Sequence, residues 1–263
     1  MSSREPSAGW WVERCREAVI AAGEHAVRHR PRHQEVHTRY AHDIKLALDH
    51  ECQEVAVEAI RRHAPDAHVV GEEGTVASAG ADGVEWIVDP IDGTVNFFHG
   101  LTWWCSSVAV RVDGVIQAGA VYAPEAGLLF DADRFGPARL NERIVRGGGV
   151  ERLADALAIT GSEKELEPGV PPLHAAQTLA PHVQKIRILG AAAIDLCQVA
   201  SGAADLFFQN GLYLWDIAAA GLIIERAGGC YRQMPSGLPG RYRVLAAGHP
   251  AVADAAGALL NWR

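Results

Sequence analysis

No CxxC pair, no block of like charge and no apolar run of membrane-spanning length occurs in this sequence. Its five cysteines, Cys15, Cys52, Cys105, Cys197 and Cys230, stand singly and are odd in number. That usage argues against a disulfide framework and predicts reduced, mostly buried thiols in a cytoplasmic protein. The uncharged stretch from Gly93 to Val110 carries Asn96, His99, Thr102, Ser106 and Ser107, which excludes a membrane span. The opening Met1-Ser-Ser-Arg-Glu-Pro does not read as a secretory signal, and Glu13 and Arg14 cut the Trp10-Trp11-Val12 run at once. With 24 basic against 32 acidic residues the net charge is -8. This balance disfavours a nucleic-acid or anionic-membrane partner and suits an acidic site that takes cations.

What is present is enough for a large core. The 263 residues are 49% hydrophobic, and a compact chain of this size buries roughly 75% of the surface it exposes when unfolded. Trp11, Cys15, Ala18, Val19, Ala22 and Ala26 fall at helical spacing before Pro31. A His-rich stretch from Arg28 to His42 reads as a loop or hairpin. Cys52, Val55, Ala56, Ala59 and Ile60 line a second helix, with Asp49 where it should begin. Short strands follow: Val69-Val70, Trp86 to Val88, Ser106 to Val112, Val115 to Tyr122 and Leu128 to Phe130. Asp113-Gly114 is a strong hairpin signal, so an antiparallel sheet is expected here. In the second half, strands at Ala156 to Thr160, Lys185 to Leu189, Ala204 to Phe208 and Val244 to Ala247 alternate with helices at Ala191 to Ala200 and Asp216 to Ala227, and Glu163 to Pro172 reads as a loop between the halves. The pattern predicts one unit, 1–263, of two αβ halves (about 1–150 and 151–263) with sheets between helix layers.

The sharpest chemical feature is Asp89-Pro90-Ile91-Asp92-Gly93-Thr94. An apolar strand delivers Asp89 at its end, and Gly93 permits a sharp turn. Two carboxylates three apart, around the Ile91 carbonyl, make the oxygen-rich cup that hard divalent cations favour. If a helix starts at Thr94, the Gly93 and Thr94 amides would face a phosphate. The same residues also fit a plain Asp-Gly turn. Gly71-Glu72-Glu73-Gly74 ends a strand in the same way. Asp216 opens an apolar helix and is read equally as an N-cap, worth about 1 kcal/mol. His25, His29, His33 and His37 are spaced by four, but Pro31 interrupts them, so a solvated face is the better reading than a metal site. Trp103-Trp104 fits core or interface, and Arg187 fits a substrate contact or a salt bridge.

Asp89-Pro-Ile-Asp-Gly-Thr-Val-Asn-Phe and Trp215-Asp216-Ile-Ala-Ala-Ala-Gly resemble the two signatures of the inositol monophosphatase superfamily of magnesium-dependent, lithium-sensitive phosphatases. Gly71-Glu72-Glu73, Asp49, Gly190-Ala-Ala-Ala-Ile-Asp-Leu-Cys and Ser201-Gly-Ala-Ala-Asp205 fit the same order along the chain. The resemblance implies an α+β fold, a layered αβαβα sandwich, and a cytoplasmic homodimer. It implies hydrolysis of a small phosphorylated metabolite, a polyol or sugar phosphate, with two or more Mg²⁺ ions. Glu72, Asp89 and the Ile91 carbonyl are then ligands of one ion, and Asp89, Asp92 and Asp216 of a second. Asp49, Glu72 and Thr94 form the catalytic group that orients water, with Thr94 paired to Asp49. Gly93, Thr94, Ala192, Gln209 and Asp216 meet substrate. Other branches of the resemblance act on histidinol phosphate, fructose 1,6-bisphosphate or a phosphoadenosine nucleotide, and a catalytically weak regulatory protein is a further alternative. Two departures stand out: Leu46 replaces a threonine next to a metal-holding loop, and Gln209 replaces a glutamate that meets a substrate hydroxyl.

Overall fold

The structure is a computed structural model that describes residues 8–39, 44–76, 83–162, 171 and 173–262. Residues 40–43 of the Thr38–Leu46 loop, and 163–170 and 172 of the connection between the halves, lie outside the described residues. The chain opens with α1 (Ala8–Arg28). The His-rich stretch takes the hairpin form: β1 (Val36–Arg39) and β2 (Ile44–Leu46) pair antiparallel before α2 (Ala47–Arg61). Next come β3 (His68–Gly71), β4 (Gly74–Val76), β5 (Val84–Asp92), α3 (Thr94–Phe98), β6 (Cys105–Val112) and β7 (Val115–Ala123). The segments β8 (Leu128–Asp133), β9 (Arg139–Leu140) and β10 (Arg143–Ile144) complete an eight-stranded sheet of order β10-β9-β8-β7-β6-β5-β3-β4.

The remainder consists of β11 (Leu157–Thr160), α4 (His174–Leu179), β12 (Lys185–Ile188), α5 (Ala192–Ser201), β13 (Leu206–Leu212), α6 (Leu214–Arg226), β14 (Cys230–Pro235), β15 (Tyr242–Ala247) and α7 (Pro250–Leu259). Its five strands form a second sheet of order β12-β11-β13-β15-β14.

Apolar periodicity explains the layering. Cys15, Ala18, Val19, Cys52, Ala56 and Ile60 of α1 and α2 bury against Trp86, Val88, Val108 and Val110 on one face of the first sheet. Alternation along the same strands turns Ile87, Ala109, Val121 and Phe130 to the other face, against α5 and α6. Those two helices are apolar all round, as buried helices must be, and also meet Phe207, Val244 and Ala246 of the second sheet. Leu179 of α4 and Val252 and Ala256 of α7 cover the far face, on Phe208 and Leu245. The result is the expected αβαβα sandwich.

The Asp113-Gly114 hairpin forms as read, with φ of 48° and 81° at its two turn residues. The first sheet is not wholly antiparallel, however. β3 and β5 run parallel, with Gly71 beside Val88. That pairing brings the ends of both strands, and so Glu72 and Asp89, to one edge. The elements α4, β14 and α7 carried no reading in advance. β14 places Arg232 and Gln233 side by side and ends in Pro235, as an edge strand can, and so shows no apolar period.

A tight seam lies between β7 and α6. A Cβ placed on Gly119 would stand 2.7 Å from the Cα of Ala219 and 2.9 Å from its Cβ. Helix and strand therefore touch backbone to backbone. Gly119→Ala should destabilise the protein by about 1–3 kcal/mol through overpacking, measured by denaturant unfolding. Ala219→Gly in the same chain should recover part of that loss; no recovery would show that the contact is not the cause.

Candidate active site

Four acidic side chains converge where the ends of β3 and β5 meet the starts of α5 and α6. Glu72 follows β3, and its N–H donates to the Val88 carbonyl at 3.1 Å. Asp89 is buried on β5 beside Ser107 of β6, and a bulge between Asp89 and Asp92 turns the strand end. Asp92 accepts from the Ala192 and Ala193 N–H groups at 3.1 and 2.7 Å. It also accepts from the Cys105 thiol at 3.4 Å. The first turn of α5 thus points its unsatisfied amides at this carboxylate.

Asp216 and Asp49 do not stand at the caps of their helices. Both are third residues, and each reaches back to the backbone N–H of the cap: Asp216 to Tyr213 at 2.7 Å, Asp49 to Leu46 at 2.6 Å. This is half of a capping box. It leaves the other oxygen of each carboxylate for a different purpose. Asp49 Oδ1 is enclosed, and no donor among the described residues reaches it.

Asp89 Oδ1 is in the same position. The groups within hydrogen-bond reach of the Asp89 carboxyl are the carboxyls of Glu72 and Asp216, an arrangement that requires a shared proton or a cation. Burial, then the charges of Glu72, Asp92 and Asp216, hold Asp89 well above the ordinary aspartate range. Burial, then Asp92 and Glu72, do the same to Asp216 against the Tyr213 N–H. Asp92 is pushed up to about 6, by burial and against its two α5 amides. Glu72 is raised by burial although an ammonium, Lys45 Nζ, lies 2.7 Å from its Oε1. Burial also raises Asp49, despite the Leu46 N–H.

Several expected contacts are made differently. Thr94 does start a helix, α3, after Gly93 with φ of 90°. A side chain at Gly93 would also meet Ala191 Cβ at 3.0 Å. The Thr94 hydroxyl, however, donates to the Ile91 carbonyl at 3.0 Å rather than to Asp49, because the turn brings residues three apart together. The Ala192 amide is taken up by Asp92 and so is not free for substrate. Gln209 lies on β13, with its amide over Gly161. Arg187 is exposed and donates to the Ile186 carbonyl at 3.0 Å; among the described residues it makes no ion pair. Trp104 is core, and Trp103 donates to Asp195 at 2.7 Å. His29 and His33 bond backbone carbonyls, and His25 pairs with Glu51 at 3.3 Å, so the spaced histidines are structural.

Lys45, Glu73 and Ala193 carried no assignment in advance. A lysine inside the apolar run before α2 is the signal that would have flagged Lys45. The donor set itself, carboxylates and a carbonyl, is one that hard divalent cations prefer. The enclosed Asp89 Oδ1 is an acceptor with nothing but other acceptors around it, and a cation resolves that conflict. Among the described residues no three His, Cys, Asp or Glu side chains are spread ready for an ion. Asp89 leans on its acidic neighbours and Glu72 on Lys45 instead.

Comparison with known proteins gives a consistent result. Residues 12–261 match the sequence model of the "Inositol monophosphatase family". The chain is 33% identical over 221 residues to the inositol monophosphatase of Mesembryanthemum crystallinum, covering 81% of each. It is 35% identical over 188 residues to Nus factor SuhB of Pasteurella multocida, covering 71% of this chain and 70% of that protein. The solved inositol monophosphatase of Anabaena (Nostoc) sp. superposes with a TM-score of 0.81 at 28% identity, over 95% of both chains.

The raised carboxyls fix the pH response of the metal-free protein. Asp195, next to Trp103, is pushed up to about 7 by burial, against the Trp103 N–H, and Asp92 to about 6. An unfolded aspartate titrates near about 4. Between these values the folded chain holds more protons than the unfolded one, so stability falls as pH rises. In chelator, Tm should drop from about pH 5 to about pH 7, and Asp195→Asn should flatten the drop. An equal slope in wild type and variant would remove Asp195 from the account.

Proposed function

This chain belongs to the inositol monophosphatase family and is a phosphoric monoester hydrolase, and we propose that it hydrolyses a small polyol or sugar phosphate with Mg²⁺ as the required metal. The observation that carries this reading is the carboxyl cluster around the buried Asp89 Oδ1, which no donor among the described residues reaches. Glu72, Asp89, the Ile91 carbonyl, Asp92 and Asp216 would hold two or more ions. Bound there, the ions supply charge neutralisation at the transferring phosphoryl group and a more acidic water.

The chain's own residues do the positioning, which is most of what phosphoryl transfer needs. Asp49 Oδ1 and Glu72 are acceptors on one side of the cluster and orient the attacking water. Thr94 Oγ1 fixes the Ile91 carbonyl, and the backbone amides that open α3 at Gly93 and Thr94 receive the phosphate. Asp92 is held by two amides, and Asp216 by one, so neither is free to swing with substrate. Gln209 is the residue we assign to the alcohol portion of the substrate, where its amide both donates and accepts. A cytoplasmic homodimer completes the reading. Among the described residues no helix is long and apolar enough to cross a membrane. A second reading, a metal-responsive regulatory protein, draws on the relatives called Nus factor SuhB.

A panel of phosphomonoesters tested for phosphate release, with Mg²⁺ and with chelator, separates the two. Turnover that needs Mg²⁺ supports the hydrolase reading; no turnover on any ester supports the regulatory one. Asp216→Asn refines the test. The amide oxygen still accepts from Tyr213, so stability should stay within about 1 kcal/mol. Turnover should fall by about a hundredfold or more, since a charged ligand is lost. Near-normal turnover in the folded variant would leave Asp216 only its helix-end role.

A further inference from the structure

Among the described residues, Lys45 is the one in the cluster's wall whose charge opposes that of its neighbours and whose place neither the fold nor the proposed chemistry explains. Its Nζ stands 2.7 Å from Glu72 Oε1 and also bonds Glu73 Oε1. The lysine side chain is only 18% exposed, Glu72 20% and Glu73 3%. Glu73 is anchored in turn by His50 Nε2 at 3.2 Å and by its own N–H on Gln53 at 2.9 Å. Lys45 is not a wandering surface lysine. Strand β2 pairs it with Thr38, and the next residues, fully buried Leu46 and then α2, hold its backbone. A single ammonium therefore sits on the glutamate that the proposed function gives to a divalent ion.

We propose that Lys45 is an internal counter-cation that competes with the divalent ion for Glu72, weakening metal affinity while sparing the metal-free fold. The inference rests on the metal reading given above. A divalent ion on Glu72 must displace the ammonium or share the carboxylate with it. Without the ammonium, Glu72 would face Asp89 with no balancing charge, a costly state that a cation relieves. Lys45 thus makes the fold less dependent on metal and the metal less tightly held.

Titration calorimetry with Mg²⁺ on the whole chain, together with Tm in chelator and at saturating Mg²⁺, tests this without any activity assay. Lys45→Met should bind Mg²⁺ about tenfold more tightly than wild type. It should melt lower in chelator and gain more from Mg²⁺. Lys45→Arg, which keeps the charge, should retain the wild-type Kd. Lys45→Gln carries the same comparison should the Met variant fail to fold. An unchanged or weaker Kd in the neutral variants overturns the inference alone. Absence of Mg²⁺ binding in wild type and all variants overturns the metal reading as well. Binding seen only in the neutral variants supports the competition directly.

Discussion

Four carboxyl groups, those of Glu72, Asp89, Asp92 and Asp216, lie within reach of one another, Asp89 and Asp92 buried and Glu72 and Asp216 half-buried, so water screens their repulsion only in part. Three of the four receive a partner that offsets their charge. The start of α5 gives Asp92 two amides, and the start of α6 gives Asp216 the Tyr213 N–H. The hairpin before α2 gives Glu72 the Lys45 ammonium. Among the described residues no donor reaches Asp89 Oδ1, and this carboxyl is left to share a proton with its neighbours. The chain gathers four carboxyl groups and sets one ammonium, that of Lys45, against them, with neutral backbone amides for two of the rest. That imbalance is what a cation site needs.

The layers explain why the cluster can form at all. Parallel pairing of β3 with β5 puts Glu72 and Asp89 at the same sheet edge, and the helices between the sheets start at that edge. Asn96, one turn into α3, donates both to Trp103 and to Leu189 at 2.7 and 2.8 Å. It ties the loop after α3 to the loop before α5. The site is therefore built from local sequence motifs whose relative placement is a property of the whole sandwich.

Much of this was legible in the sequence, for definite reasons. The helices α1 and α2 announce themselves by apolar spacing, the β6–β7 hairpin by Asp113-Gly114, and the carboxylates by their position at strand ends. What was not legible is what depends on distant partners. The parallel β3–β5 pairing has no local signature, so the sheet was expected to be antiparallel throughout. The polar edge strand β14 lacks an apolar period. Asp49 and Asp216 were placed at helix starts, but their true third-residue positions depend on where the backbone turns, which Leu46 and Tyr213 decide. The Thr94 hydroxyl could be assigned to Asp49 by resemblance, yet the tight turn offers it the nearer Ile91 carbonyl. Lys45 was invisible as part of the site, because its partners lie 27 and 28 residues away.

The backbone contact between Gly119 and Ala219 has a mechanical meaning for the site. Ala219 stands three residues after Asp216 on the same helix, so α6 behaves as a short lever with its fulcrum on β7. Only the Ala219 methyl group lies in that contact, so little can give way to a change in volume. A methyl group added at the fulcrum would tilt the helix and carry the carboxylate at its start with it. Tolerance to sequence drift along this seam is therefore set by positional accuracy at the cluster as well as by stability, and substitutions there should alter the chemistry together with the folding.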